Sequence, residues 1–337
     1  MQRILYALLA LFALIVLAGF ALPRFARVET TLVVDAPASV VFAQANDFHR
    51  LALWAPLDEG DPDARIAYAG PQRGAGATVS WNGPVIGGGR QRIVESVPYE
   101  YVSYLINAGE PGEAVGWIAL EDVAGGTRVT RGFEHDYGYN LVGRYFGLLW
   151  TGMVRRDYRQ SLERLQALVE DLPRTDFSDI GIAEAFNESR PIAYKSVLTA
   201  PLPDAASAAL GKAYVDIVGW IEQAGLDENG PPMAILRGPV GNRQRLDAAI
   251  PVVLDTDIAT ESERGVQLGR TYEGNVIRVT YTGPYDGLGL AHRKIASYLA
   301  ATGLERNGDP WEIYVSDPTR TPASERVTEI IYPVLIY

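Results

Sequence analysis

Cysteine is absent from this 337-residue sequence. That excludes disulfides, thiolate nucleophiles and cysteine-ligated zinc or iron, and it leaves the redox compartment open. Histidine is scarce: His49, His135 and His292 lie far apart and none has a partner at metal-ligand spacing, so neither a metal nor a cofactor is expected. Lysine or arginine blocks are also missing and the formal net charge is −11, which disfavours attraction to nucleic-acid phosphate. What is present suits packed structure with room for about two domains: 47% hydrophobic and 21% charged residues.

From Ile4 to Pro23 no charge interrupts 20 residues, enough as a helix to cross a hydrocarbon core of about 30 Å. A cleaved signal peptide has a shorter apolar core followed by small residues. Here the segment runs into Pro23-Arg24-Phe25-Ala26-Arg27 with no small-x-small pattern, so residues 1–27 read as an uncleaved single-pass membrane anchor. Arg3 and the terminal amine flank one end and Arg24 and Arg27 the other. Both ends carry positive charge, and the soluble domains are expected outside the cytoplasm.

Residues 28–170 read as one α+β domain. A strand, Val28 to Asp35, leads through Pro37 to a short helix with Val40, Val41 and Phe42 inward. Short alternating runs follow at 66–68, 77–81, 92–97, 101–106, 114–120 and 127–133, as expected of an antiparallel meander with one wet face. A helix then buries Val154, Tyr158, Leu162, Leu165 and Val169 on one stripe, giving a curved sheet gripping a long helix.

This region resembles the START and polyketide-cyclase-like (SRPBCC) helix-grip superfamily. The resemblance rests on Val33-Val34-Asp35-Ala36-Pro37-Ala38-Ser39-Val40-Val41-Phe42, Gly76-Ala77-Thr78-Val79-Ser80-Trp81, Val94-Glu95-Ser96-Val97-Pro98 and Gly125-Gly126-Thr127-Arg128-Val129-Thr130. It implies a cavity for lipids, polyketides or other apolar molecules, often without catalysis. In such a cavity, alternation from Val79 turns Trp81 inward, and alternation from Val129 turns Arg131 and His135 inward. Trp81 equally fits core filler. A buried Arg131 would need an anionic partner, whereas a strand arginine is usually solvated. His135, near a strand end, fits a loop.

Residues 171–189 lack sustained periodicity except around Ile180 to Phe186 and read as a linker with one helical turn. Residues 190–337 contain a repeat. Sliding residues 210–235 forward by 78 superimposes Leu210 on Leu288, Ile217 on Ile295, Ile221 on Leu299, Gly225 on Gly303 and Ile235 on Ile313. Each copy is a helix, a glycine stop, a turn and a strand, which cannot bury its apolar face alone. Two copies therefore make one pseudo-symmetric β-α-β domain. His292 falls where the first copy has Tyr214, and reads as a structural boundary position.

The copies differ in one strand. In Trp311-Glu312-Ile313-Tyr314-Val315-Ser316, alternation separates Trp311, Ile313 and Val315 from Glu312, Tyr314 and Ser316, and the first set is expected on the helix-covered face. The first copy has Ala234 where the second has Glu312. A carboxylate thus replaces a small apolar residue beside a tyrosine, as a ligand site on a symmetric scaffold would require.

Residues 190–335 resemble the gyrase-inhibitor-like effector-binding domains that also terminate AraC-type and multidrug-responsive activators. The resemblance rests on Tyr281-Thr282-Gly283-Pro284-Tyr285, Trp311-Glu312-Ile313-Tyr314 with Asp317-Pro318, and Glu325-Arg326-Val327-Thr328-Glu329-Ile330-Ile331-Tyr332-Pro333-Val334. It implies an aromatic-lined pocket in which Glu312, walled by Tyr285 and Tyr314, receives cationic or polar small molecules. It also implies, for some members, hydrolysis of strained electrophiles with the glutamate assisting water. Either use suits a carboxylate among ring faces. An exposed Glu312 paired with a neighbouring arginine is the bland alternative. No helix-turn-helix pattern precedes the domain, so a DNA-binding regulator is not expected. The expectation is a membrane-anchored, two-domain binding protein for apolar, amphipathic or cationic ligands, with hydrolysis through Glu312 as the alternative.

Overall fold

An apolar helix, α1 (Gln2–Ala21), opens the chain, with side chains exposed on nearly every face. Length and composition make it a candidate membrane span. The computed structural model describes residues 2–107, 113–254 and 264–335. Two units are distinguished, Met1–Ser178 and Asp179–Tyr337, and both mix helices with antiparallel sheet.

In the first unit β1 (Phe25–Val34), α2 (Ala38–Ala45) and α3 (Phe48–Leu51) precede β2 (Arg65–Ala69), β3 (Thr78–Gly83), β4 (Gly87–Val97), β5 (Tyr101–Ile106), β6 (Ala114–Val123), β7 (Gly126–Asp136) and α4 (Leu141–Glu170). The sheet runs β1-β7-β6-β5-β4-β3-β2, a meander closed at one side by the first strand. The predicted stripe of α4 is buried, with Leu165 and Val169 at 0% exposure. The helix starts well before that stripe. Asn140 caps it by accepting the Gly143 N–H at 2.9 Å.

In the second unit the order is β8 (Ile182–Asn187), β9 (Pro191–Thr199), α5 (Pro203–Ala224), β10 (Met233–Val240), β11 (Arg243–Pro251), β12 (Gln267–Arg270), β13 (Gly274–Thr282), α6 (Leu288–Thr302), β14 (Glu305–Arg306), β15 (Trp311–Tyr314) and β16 (Val327–Leu335). The sheet runs β12-β9-β11-β10-β15-β16-β13-β8, with β14 attached to β16. Strand β8 corrects the linker reading of 171–189. Its residues pair with β13 where a helical turn was expected, and Phe177 is buried beside Ser39 in the first unit, so the segment is folded at both ends.

Within that order β9-β11-β10 is answered in reverse by β15-β16-β13, which is the two-fold arrangement the repeat predicts. Both helices stop at left-handed glycines, Gly225 (φ 64°) and Gly303 (φ 72°), where a side chain would be strained. At the central seam Ala234 of β10 lies directly opposite Glu312 of β15. Those two residues are equivalent under the 78-residue shift, so the pseudo-two-fold axis passes between them.

The helices cover one face of the sheet. Leu210, Ile217 and Ile221 of α5 pack with Ala234, Leu246 and Ala248, and Leu288, Ile295 and Leu299 of α6 pack with Ile277, Val279 and Ile330. Tyr314 touches both clusters. The opposite face holds Met233, Ile235, Trp311 and Ile331, with Ile313 against them. Alternation therefore separated Trp311 and Ile313 from Glu312 and Tyr314 correctly, but the helix-covered face is that of Glu312. The error has a physical cause: both faces of the central strands are apolar, so hydrophobicity could not say which one the helices cover.

Ile217 and Ile295 are equivalent under the repeat and both are fully buried. Ile217→Ala and Ile295→Ala should each lower the stability of the second unit by about 2–5 kcal/mol. Denaturant unfolding of the two variants measures this, and a large loss in one with none in the other would break the symmetry argument.

Candidate ligand-binding site

Glu312 is 7% exposed, and burying a carboxylate is strongly unfavourable unless its oxygens are satisfied. Both are. His292 Nε2 lies 2.8 Å from Oε1, and the Tyr314 hydroxyl donates to Oε2 at 2.6 Å. On its other side His292 Nδ1 lies 2.7 Å from the Tyr332 hydroxyl. The imidazole therefore bridges the Tyr332 hydroxyl and Glu312, with an Nε2–H donating to the carboxylate alongside Tyr314. His292 is thus joined to the carboxylate, and its reading as a boundary position is corrected. Its equivalence to Tyr214 was the available signal, because residues related by the repeat meet near the axis on which Glu312 sits.

Tyr285 and Tyr314 meet edge to face, with ring centroids 5.3 Å apart. Arg326 lies 5.3 Å above the Tyr285 ring and donates to the carbonyls of Thr321 and Pro318. These groups border a cavity of about 1090 Å³. Apolar wall comes from Leu202, Leu210, Leu236, Leu246 and Leu288, and phenols from Tyr214, Tyr285 and Tyr314. Its charged lining is lopsided: Asp204, Glu228, Asp286, Glu312 and Asp317 against Arg326. Glu329, by contrast, pairs with Arg278 at 2.8 Å.

Burial first, and then the charge of Glu312, holds the Tyr314 phenol well above the usual range and raises that of Tyr214. Burial also pushes Tyr332 up to about 12, with Arg306 opposing and Glu312 adding. Tyr285 moves up for the same first reason, against Arg326. The cavity's phenols therefore remain protonated donors at neutral pH.

The N-terminal candidates do not meet one another in any contact among the described residues. Arg131 is buried on the face of Val129 and Phe133, as alternation requires. The expected anionic partner is not among its described contacts. Its guanidinium lies 4.1 Å from the Tyr158 ring centroid and 5.3 Å from that of Trp54, and donates to Ser161 Oγ at 2.5 Å. Ring faces stand in for an anion, and Arg131 Nε has no hydrogen-bond partner. Trp54 and Tyr158 were not foreseen in this role. Trp81 is half-buried, its ring over Gly89 on β4, where a Cβ would come within 2.2 Å of it. His135 bonds the Glu113 carbonyl at 2.8 Å. Among the described residues no His, Asp and Glu cluster could hold a metal ion.

Residues 188–335 match the GyrI-like small molecule binding domain. Residues 26–170 match the polyketide cyclase / dehydrase and lipid transport family. The chain thus joins two domains whose families both support a small-molecule ligand. Solved structures similar to it include the C-terminal domain of EcmrR (15% identity, 47% of this chain and 99% of that chain, TM-score 0.38). A Chromobacterium violaceum protein (23%, 43% and 97%, TM-score 0.31) and a hydrolase from Listeria innocua (15%, 46% and 91%, TM-score 0.33) are also similar. Comparison with curated proteins gave no match.

The raised phenols fix the sign of an alkaline effect. Their contribution to stability is complete below the unfolded phenol value of about 10 and is lost as pH rises through the higher folded values, because the unfolded chain releases those protons first. The GyrI-like domain should therefore lose stability above about pH 10. Phenolate absorbance in an alkaline titration should show buried tyrosines ionising only on unfolding; complete ionisation while still folded would contradict the geometry.

Proposed function

We propose that the GyrI-like domain captures a small organic cation, or an amphipathic molecule with a cationic or polar head, on a protein tethered to a membrane by α1. The soluble domains are assigned to the extracytoplasmic side, and the role is sensing, transport or sequestration. One observation carries the reading: a buried carboxylate, Glu312, opening on an apolar, phenol-lined cavity whose other charges are also mostly negative. The volume of 1090 Å³ suits a drug-sized molecule. A cation about 4 Å from Glu312 would gain about 4 kcal/mol at an effective dielectric of 20, against about 2 kcal/mol from a desolvated ring face. Charge thus outweighs the aromatic wall, although both select the same ligand.

Within the polyketide-cyclase-like domain, the proposal is that an apolar ligand's polar head meets Arg131, with Trp81 farther along the sheet. The unpaired Arg131 Nε supports it.

Tetraphenylphosphonium, an apolar cation, is a direct probe. Glu312→Gln keeps the shape and removes the charge, and should weaken binding by at least about tenfold, a loss of about 1.4 kcal/mol. Isothermal titration of both proteins measures it. Equal affinity would overturn the proposal.

The chain of donors from Tyr332 through His292 supports a second reading, in which Glu312 takes a proton from water attacking an electrophilic ligand while Tyr285 or Tyr314 positions it. Here Glu312→Gln should abolish turnover of an epoxide or lactone panel. Equal rates in wild type and variant would discard hydrolysis.

A further inference from the structure

Helix α4 begins with Leu141-Val142-Gly143-Arg144-Tyr145-Phe146-Gly147-Leu148-Leu149-Trp150-Thr151-Gly152-Met153, in which Arg144 is the single charge. Val142, Phe146, Leu149 and Met153 recur at spacings of four, three and four, one outward stripe of the helix. The four are 80%, 61%, 77% and 63% exposed. Beyond Met153 the outward side changes character. Arg155, Arg156, Asp157 and Arg159 are exposed there, while Val154 and Tyr158 stay buried against the sheet. Apolar exposure thus ends abruptly at a ring of mainly positive charge, although the same helix continues.

These first turns are fastened to α1. Arg144, itself buried, donates to the carbonyls of Phe20 and Leu22 at 3.2 Å each and to Gly19 at 3.5 Å, satisfying groups that the end of α1 leaves open. The Tyr145 hydroxyl donates to the Ile15 carbonyl at 2.6 Å. Gly19 lets the helices approach, since a Cβ there would lie 3.2 Å from Tyr145 and 3.3 Å from Leu141. Moving from Leu141 to Tyr145 goes back along α1 from Gly19 to Ile15, so the start of α4 lies antiparallel beside the last turns of the candidate span.

We propose that residues 141–153 of α4 are immersed in the same lipid layer as the end of α1, with the water boundary between Met153 and Arg155. The polyketide-cyclase-like domain is then seated on the bilayer by its own gripping helix rather than hanging from a tether. The stripe from Val142 to Met153 rises about 16 Å, roughly half of the ~30 Å hydrocarbon thickness. A soluble surface rarely carries so continuous an apolar stripe. A bilayer is favoured over a second copy because α1, apolar on all sides, is fixed beside the stripe, and one layer must solvate both. The arginines that follow suit anionic headgroups. Arg144, the one charge within residues 141–153, is already shielded by its carbonyl partners.

The inference builds on α1 as an anchor, and the absence of cysteine allows the two to be tested separately. Single cysteines replacing Phe12 in α1, Phe146, Leu149 and Met153 in α4, and Glu163 as an exposed control would each carry an environment-sensitive fluorophore. The full chain would be reconstituted into phosphatidylcholine vesicles containing phosphatidylglycerol. The expected result is blue-shifted emission, quenched more by lipid-borne than by aqueous quencher, at Phe12→Cys, Phe146→Cys and Leu149→Cys, a boundary value at Met153→Cys, and aqueous quenching at Glu163→Cys. Lipid quenching in α1 with aqueous quenching in α4 overturns the inference and leaves the anchor standing. Lipid quenching in α4 with aqueous quenching at Phe12→Cys removes the anchor and the shared layer with it, and so overturns the inference; aqueous quenching throughout overturns both as well. Protection of the α4 positions from both quenchers assigns the stripe to a second copy and overturns it.

Discussion

A carboxylate on the seam between two copies of one β-α unit is the constraint around which the GyrI-like domain is organised. Antiparallel pairing of β10 with β15 sets Ala234 against Glu312, so two residues related by the repeat face each other. Two alanines would make a small apolar contact, and two glutamates would repel at close range. One of each leaves room for an acid and for the groups that hold it. His292 and Tyr314 supply the donors, Tyr332 holds His292, and Tyr214, the counterpart of His292, borders the same cavity. The symmetry builds a cavity at its axis, and departures from symmetry make it chemically specific.

Two of the protein's buried ionisable side chains, Glu312 and Arg131, are accommodated by opposite means. Glu312 is held by His292 and Tyr314 and still borders a cavity, so its carboxyl group lies within reach of a partner there. Arg131 is flanked by the faces of Tyr158 and Trp54, and it donates to the Ser161 hydroxyl. Ring quadrupoles offset only part of a buried guanidinium's lost hydration, and the unpaired Nε marks the remainder.

Much of this was legible in the sequence because it depends on period. Alternation located the strands of the first sheet, the glycine stops fixed the ends of α5 and α6, and the 78-residue shift gave the duplicated unit. What escaped depended on three-dimensional neighbours. The side of the sheet that carries Glu312 was misjudged because Trp311 and Ile331 are buried as fully as the residues under the helices. His292 reaches Glu312 across 20 residues of chain, through a helix face that no linear pattern marks. Strand β8 falls in the one periodic stretch of the linker, Ile180 to Phe186, which reads as a helical turn because six residues with few buried side chains are too short to separate the two periods. The early start of α4 was hidden for a related reason: its exposed apolar stripe does not resemble an amphipathic helix in water.

The central claim is that Glu312 attracts a positive charge into the cavity at the pseudo-two-fold axis. Its most direct test is crystallography of the full chain in detergent with tetraphenylarsonium, whose arsenic can be located by anomalous scattering. The account predicts an anomalous peak inside the cavity, within about 6 Å of the faces of Tyr285 or Tyr314 and beside the Glu312 carboxylate. A cation bound only elsewhere, with Glu312 still enclosed by His292 and Tyr314, would contradict it.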